Sequence, residues 1–79
     1  MNETDIKEIK RISEAMAAAS GGGGFSTSER IAGALVNNRL DWLPAGLEDE
    51  HIVDLLNRLG RDWTLAVMEV RSRDFNGRW

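Results

Sequence analysis

Gly21-Gly22-Gly23-Gly24-Phe25-Ser26-Thr27-Ser28-Glu29 divides this chain of 79 residues into two parts. A glycine within a helix costs about 1 kcal/mol relative to alanine, so four in succession cost roughly 4 kcal/mol and end any short helix. Ser26 and Glu29 then have the spacing of a capping box, which starts a new helix. The sequence therefore predicts an N-terminal amphipathic helix in residues 1–20, a flexible glycine linker at 21–25 and a helical core in 26–79.

The segment before the glycines has the periodicity of an amphipathic helix with Asn2 as a suitable N-cap. Its apolar residues recur at steps of three or four and comprise Ile6, Ile9, Ile12 and Met16. A stripe this narrow must dock against another surface to be stable. That surface is either the rest of the chain or the same helix of a second copy, so the sequence leaves a homodimer through the first helix open.

Two helices are predicted after the capping box. The first buries Ile31, Ala34 and Leu35 and ends at Asn37-Asn38. A turn around Pro44 follows, and a further helix runs from Glu48 or Asp49 to Leu59, with Gly60 in the position of a C-terminal cap. The acidic residues at its start favour the helix dipole.

The final segment fits a helix or a strand. Trp63, Ala66, Val67 and Val70 share one helical face, with Asp62 as the expected cap, but residues 63–70 are also rich in strand-forming residues. A helix is favoured because the chain offers no second strand to satisfy the backbone of the first. The sequence thus predicts an all-α fold, a small bundle of three or four short helices.

The composition excludes several classes of protein. The chain has no cysteine, so it lacks disulfides and thiolate chemistry, and a reducing, cytoplasmic setting is expected. The N-terminus has neither the basic region nor the apolar run of a signal peptide, and no segment has the roughly 18 apolar residues of a membrane span. We therefore expect no association with a membrane.

No motif in the sequence indicates catalysis or a cofactor. The glycine run lacks the spacing and the lysine of a phosphate-binding loop. His51 is the single histidine, and the nearby Glu48, Glu50 and Asp54 make a sparse ligand set for a metal. Ser26 and Ser28 have no neighbouring histidine to act as a base. We expect a protein that is not an enzyme and that binds no cofactor and no metal.

Charge is distributed unevenly along the chain, whose net charge is −3. Residues 41–60 carry five acidic residues against Arg58 alone. These acidic residues bracket a turn that carries Trp42, Leu43 and Leu47. Large apolar residues surrounded by charge are typical of protein contact sites, and tryptophan often dominates such sites. The candidate partner-binding residues are therefore Asp41, Trp42, Glu48, Asp49, Glu50 and Asp54. A solubilising acidic face and a core tryptophan are the alternative interpretation.

A helix-turn-helix regulator is a second functional interpretation, with residues 49–59 and 62–73 as the helix pair and Arg61, Arg71 and Arg73 on DNA. The acidic first turns of these helices oppose an approach to phosphates, so direct nucleic-acid binding is not expected. Arg71, Arg73 and Arg78 are also well placed to stabilise the C-terminal end of the last helix.

The segment from Glu29 to Val70 resembles small accessory proteins of bacteriophages and mobile elements. It contains Glu-Arg-Ile-Ala-Gly-Ala-Leu-Val-Asn-Asn-Arg-Leu-Asp-Trp-Leu-Pro-Ala-Gly and later Asn-Arg-Leu-Gly-Arg-Asp-Trp-Thr-Leu-Ala-Val. Among these proteins it is similar to the type I-F anti-CRISPR inhibitors. The resemblance implies a stoichiometric inhibitor, acting in the cytoplasm of a bacterial host cell, that binds a CRISPR surveillance complex and prevents it from engaging target DNA. Acidic residues of such inhibitors often face a channel lined by lysine and arginine.

Overall fold

The computed structural model describes residues 2–79, which form four α-helices and no strand. The helices are α1 (Glu3–Ala18), α2 (Thr27–Val36), α3 (Ile52–Leu59) and α4 (Arg61–Asn76), and a 3₁₀ turn, Leu40–Trp42, lies between α2 and α3. The chain is thus a small helical bundle, as predicted, and residues 63–70 are helical.

Helix α1 packs on α2 and α4. The Asn2 side chain caps it by accepting a hydrogen bond from the Thr4 amide at 2.8 Å. Its apolar stripe is at most 1% exposed and consists of Ile6, Ile9, Ile12 and Met16. The stripe that suggested a homodimer through the first helix is therefore covered by the protein's own chain.

The glycine segment is held by contacts with three parts of the molecule. Gly21 donates its amide hydrogen to the Met16 carbonyl at 2.8 Å. The guanidinium of Arg30, on α2, donates to the carbonyls of Gly21 and Gly23 at 2.6 and 2.8 Å. The indole of Trp42, on the 3₁₀ turn, lies where a Cβ on Gly21 would be. The segment thus joins the end of α1 to α2 and to the 3₁₀ turn.

The predicted start of α2 is confirmed. Ser26 donates its amide hydrogen to Glu29 Oε1 at 2.8 Å, and Glu29 donates its own to Ser26 Oγ at 3.2 Å, which completes the capping box. The predicted end is confirmed as well, because Asn37 is the C-cap and Asn38 has a positive φ of 54°.

The predicted starts of the last two helices are wrong by a few residues. Helix α3 begins at Ile52 rather than at Glu48 or Asp49, because local hydrogen bonds hold the preceding residues in turns. The Glu48 carboxylate accepts from the Gly46 amide, and His51 becomes the N-cap by accepting from the Val53 amide at 3.1 Å. Helix α4 begins one residue before Asp62, which is not its cap.

The core has two connected clusters. The first joins α1, α2 and α4, and its buried residues are Ile6, Ile9, Ala32, Val36, Ala66, Val67 and Val70. The second lies under the loop between α2 and α3 and contains Ile31, Ala34, Leu43 and Leu55. Leu35 and Leu59 contact both clusters, so the loop that carries the acidic residues is anchored to the same core as the helices.

Candidate functional site

The acidic segment, residues 41–54, runs from the 3₁₀ turn to the first turn of α3. Its apolar residues point inward, with Leu43 6% exposed and Leu47 packed against the second core cluster. Its carboxylates are exposed at Asp41, Glu48, Asp49 and Asp54 and partly covered at Glu50. The apolar anchors therefore fix a loop whose acidic side chains lie on the surface.

The negative charge of Asp41 is offset by the neighbouring Arg39. Arg39 donates two hydrogen bonds to its carboxylate, at 3.0 and 2.9 Å. These bonds hold the pKa of Asp41 below its ordinary value and raise that of Arg39. The same guanidinium lies 4.6 Å from the centre of the Trp42 ring. Asp41 therefore positions an arginine over Trp42 as much as it displays a negative charge.

Glu48 and Glu50 hold the loop in shape. Glu48 accepts a hydrogen bond from the Gly46 amide at 2.8 Å, where Gly46 has a positive φ of 90°. Glu50 lies 3.5 Å from the guanidinium of Arg58 on α3. Both carboxylates thus have partners within the chain. The Arg58 guanidinium offsets the charge of Glu50, whereas the neutral Gly46 amide positions Glu48 without offsetting its charge.

Asp49 and Asp54 have the least constrained carboxylates of the segment, because no side-chain hydrogen bond within residues 2–79 holds either of them, whereas Glu48 accepts from the Gly46 amide. Both are exposed, and neither takes part in an ion pair within residues 2–79. Asp54 lies in the first turn of α3, where a negative charge is favoured by the helix dipole. Of the five acidic residues predicted to contact a partner, these two are the ones most available to a basic surface.

Trp42 has the core role that the sequence offered as one of two interpretations, and part of its side chain is also accessible. It is half-buried and packs against the second core cluster, while its neighbour Leu40 is 45% exposed. The indole also closes over Gly21. A substitution of Trp42 would therefore disturb the core together with the surface, and the acidic residues are the better test of the site.

Several of the residues considered for catalysis, metal binding or DNA contact have structural roles in the fold. His51 and Ser26 act as helix caps. Arg73 forms ion pairs with Glu3 and Glu69 and is not free to contact phosphate. In residues 2–79, no three side chains of the histidine, cysteine or acidic type are grouped to hold a metal ion. His51, Ser26 and Arg73 therefore each have a structural role in the fold.

The outer face of α4 is a feature that the sequence interpretation missed. Leu65, Met68 and Phe75 are 37%, 57% and 76% exposed, opposite the buried face formed by Ala66, Val67 and Val70. The three residues recur at steps of three and seven, which is a second helical stripe. The spacing of these three residues is visible in the sequence, but it lies beside the stronger pattern of the buried face.

None of the helices in the described part of the chain combines the length and the apolar character that crossing a bilayer requires. Comparison with protein-family models, with curated proteins and with solved structures finds no match to this chain.

Proposed function

We propose that this protein is a non-enzymatic binding protein whose acidic segment occupies a basic surface on a protein partner. The observation that supports this proposal is the exposure of Asp49 and Asp54 without an internal ion pair, on a loop fixed to the core. A rigid display of unpaired charge favours association with a surface of opposite charge. The exposed side chain of Leu40 adds apolar area on the same loop.

The more specific proposal is that the partner is a subunit of a type I CRISPR surveillance complex. The resemblance of residues 29–70 to type I-F anti-CRISPR inhibitors supports it, as does the excess of acid in residues 41–60. The protein would then act as an inhibitor. Its carboxylates would pair with the lysine and arginine side chains of a DNA channel, and these side chains could no longer bind the phosphates of the target DNA.

Inhibition is tested with a purified type I-F surveillance complex and its double-stranded target in a gel-shift assay. The wild-type protein should prevent the complex from binding target DNA. Asp54→Lys should weaken the inhibition by at least about tenfold, which is the effect of losing one close charge pair. Adding Asp49→Lys to this variant should weaken the inhibition further.

Asp62→Lys is the matched control. Asp62 also lies exposed in the first turn of a helix. Reversing its charge therefore changes the net charge, and the interaction of the side chain with the helix dipole, as much as Asp54→Lys does. The control should inhibit as the wild type does. Equal inhibition by Asp54→Lys and the wild type would contradict the assignment of the acidic segment, and failure of the wild type to inhibit would contradict the CRISPR partner.

A DNA-binding regulator is the alternative, supported by the exposure of Arg61 and Arg71 on α4. Two features make it the weaker proposal. The outer face of α4 is mostly apolar, and α3 and α4 are separated by Gly60 alone rather than by the three or four residues of a helix-turn-helix. DNA binding that weakens steeply across a salt series would favour this alternative.

A further inference from the structure

Helix α4 is apolar on two opposite sides. Its inner side is buried in the core, and its outer side exposes Leu65, Met68 and Phe75, which we call the α4 stripe. Single exposed apolar residues are common on protein surfaces. Three along one helical face, with Phe75 at 76% exposure and only the polar Ser72 between Met68 and Phe75, form an apolar stripe of the kind that marks an interaction site.

Two shallow grooves follow one another beside the stripe. One, of about 360 Å³, lies between α3 and α4 and is lined by Val53, Leu56 and Leu65, among others. The other, of about 470 Å³, lies between α2 and the C-terminal half of α4 and is lined by Leu35, Met68 and Phe75, among others. The 16 residues of α4 span about 24 Å, so the grooves and the stripe offer an elongated apolar surface. Such a surface matches the length and shape of a helix.

The charged residues that line these two grooves are both arginines. Arg61 lines the first groove and Arg71 the second, and both are exposed. Neither forms an ion pair within the part of the chain that the structure describes, in contrast to Arg58 and Arg73. The guanidinium of Arg71 lies 5.5 Å from the centre of the Phe75 ring, so charge and apolar surface adjoin directly. A partner with carboxylates next to an apolar stripe complements this arrangement.

We propose that the outer face of α4 is a second interaction surface, which binds an acidic amphipathic helix of a partner protein. Apolar side chains spaced along one face of that helix contact Leu65, Met68 and Phe75, and its carboxylates pair with Arg61 and Arg71. This surface is opposite in charge to the acidic segment, and it does not depend on the function proposed above.

A second copy of this chain fits the surface less well. Antiparallel pairing of two α4 stripes sets Leu65 opposite Phe75 and Met68 opposite the polar Ser72. The residues flanking the stripe then face their own equivalents, Arg71 against Arg71 and Glu69 against Glu69. Like charges in such positions are unfavourable, so the charge pattern disfavours a dimer through this face.

The test uses the full-length protein and a fluorescein-labelled synthetic peptide of 16 residues, the length of α4. The peptide carries leucines on one helical face and glutamates elsewhere, and a matched peptide carries lysines in place of the glutamates. Fluorescence polarisation should detect binding of the glutamate peptide. Any binding of the lysine peptide should be unaffected by Met68→Ser, because lysines are attracted to the acidic segment rather than to the α4 stripe. Arg71→Glu and Met68→Ser should each weaken binding of the glutamate peptide by at least about tenfold.

Lys7→Glu is the matched control for Arg71→Glu, because it makes the same charge change at an exposed position on α1. Lys7→Glu should leave the affinity for the glutamate peptide unchanged. Asp54→Lys should also leave it unchanged, which would show that the peptide does not bind at the acidic segment. All the substituted side chains are exposed, and circular dichroism verifies that each variant is folded.

Three results would overturn the proposal. The first is binding of the lysine peptide that Met68→Ser weakens, or binding of the glutamate peptide that Arg71→Glu does not weaken. The second is a doubled mass by light scattering that Phe75→Ser abolishes, which would identify a second copy as the occupant. The third is binding to phosphatidylglycerol vesicles that Met68→Ser abolishes while the glutamate peptide does not bind, which would identify a lipid surface.

Discussion

At the scale of single residues, Arg73 connects the two ends of the chain. Its guanidinium donates to both carboxylate oxygens of Glu3, at 3.0 and 3.2 Å, and its Nε donates to Glu69 at 2.7 Å. Glu3 and Arg73 are 70 positions apart in sequence. Exposed ion pairs contribute little on their own, but a bidentate arginine shared by two carboxylates is a favourable geometry. Arg73 therefore fixes the start of α1 against α4.

Replacing Glu3 should change the dependence of stability on pH. The hydrogen bonds from Arg73 hold the pKa of Glu3 below its ordinary value of 4.5. Because the pKa is lower in the folded state, the stabilisation is complete above pH 4.5 and is lost as the pH falls through 4.5 towards the folded value. Urea unfolding at neutral and acidic pH should therefore show a smaller loss of stability in Glu3→Gln than in the wild type.

Asp5→Asn is a suitable control for this prediction, since Asp5 lies on the same helix and has no ion pair within residues 2–79. Other carboxylates that pair with arginine, such as Glu8 and Asp41, contribute equally to both proteins being compared. Identical pH profiles for Glu3→Gln and the wild type would show that the pair with Arg73 does not form in solution.

At the scale of elements, the glycine segment shows that successive residues of one type have different roles. Gly21 has a positive φ of 86° and leaves no room for a Cβ beside the Trp42 indole. Gly24 has neither constraint, because no atom lies within 4 Å of the position of its Cβ. The path of the segment therefore depends on Gly21, whereas Gly24 contributes only backbone freedom.

Alanine substitutions should separate the two glycines. Gly21→Ala should lower the free energy of unfolding by roughly 1–3 kcal/mol, because the new Cβ strains the backbone and displaces Trp42. Gly24→Ala should be neutral or stabilise the fold by up to about 1 kcal/mol, because it restricts the unfolded chain. Urea unfolding measures both values. Equal effects at the two positions would mean that the segment is a uniform linker without fixed contacts.

At the scale of the whole molecule, the N-terminal helix belongs to the same core as the other three. It contributes four side chains that are at most 1% exposed, and it contacts both α2 and α4. Burying one large aliphatic side chain contributes about 1.5–3 kcal/mol, so the four contribute roughly 6–12 kcal/mol. That is as large as the whole stability of a typical small domain.

A chain that starts at Gly24 should therefore not fold. Its circular dichroism spectrum should lack most of the helical signal, and it should show no cooperative thermal transition. Adding a peptide of residues 1–20 should restore part of the helical signal by covering the exposed faces of α2 and α4. A cooperative transition in the truncated chain alone would show that residues 24–79 form an independent core.

Elements with local signals can be predicted from the amino-acid sequence. The capping box at Ser26 and Glu29, the end of α2 at Asn37 and the four-residue stripe of α1 were predicted correctly, because neighbouring residues along the chain produce each of them. The start of α3 was predicted wrongly because turns around Gly46 and Glu48 compete with the helix, and propensity does not resolve such competition.

Which surfaces remain exposed depends on tertiary contacts. The periodicity of α1 predicted a buried stripe but could not identify what covers it, and the answer lies in residues far along the chain on α2 and α4. The acidic segment looked uniform in sequence, yet Arg39 and Arg58 pair with Asp41 and Glu50. Helix α4 has two apolar faces, and packing selects one for the core and leaves the other exposed. Burial and pairing depend on contacts between distant segments, and these contacts exist only in the folded molecule.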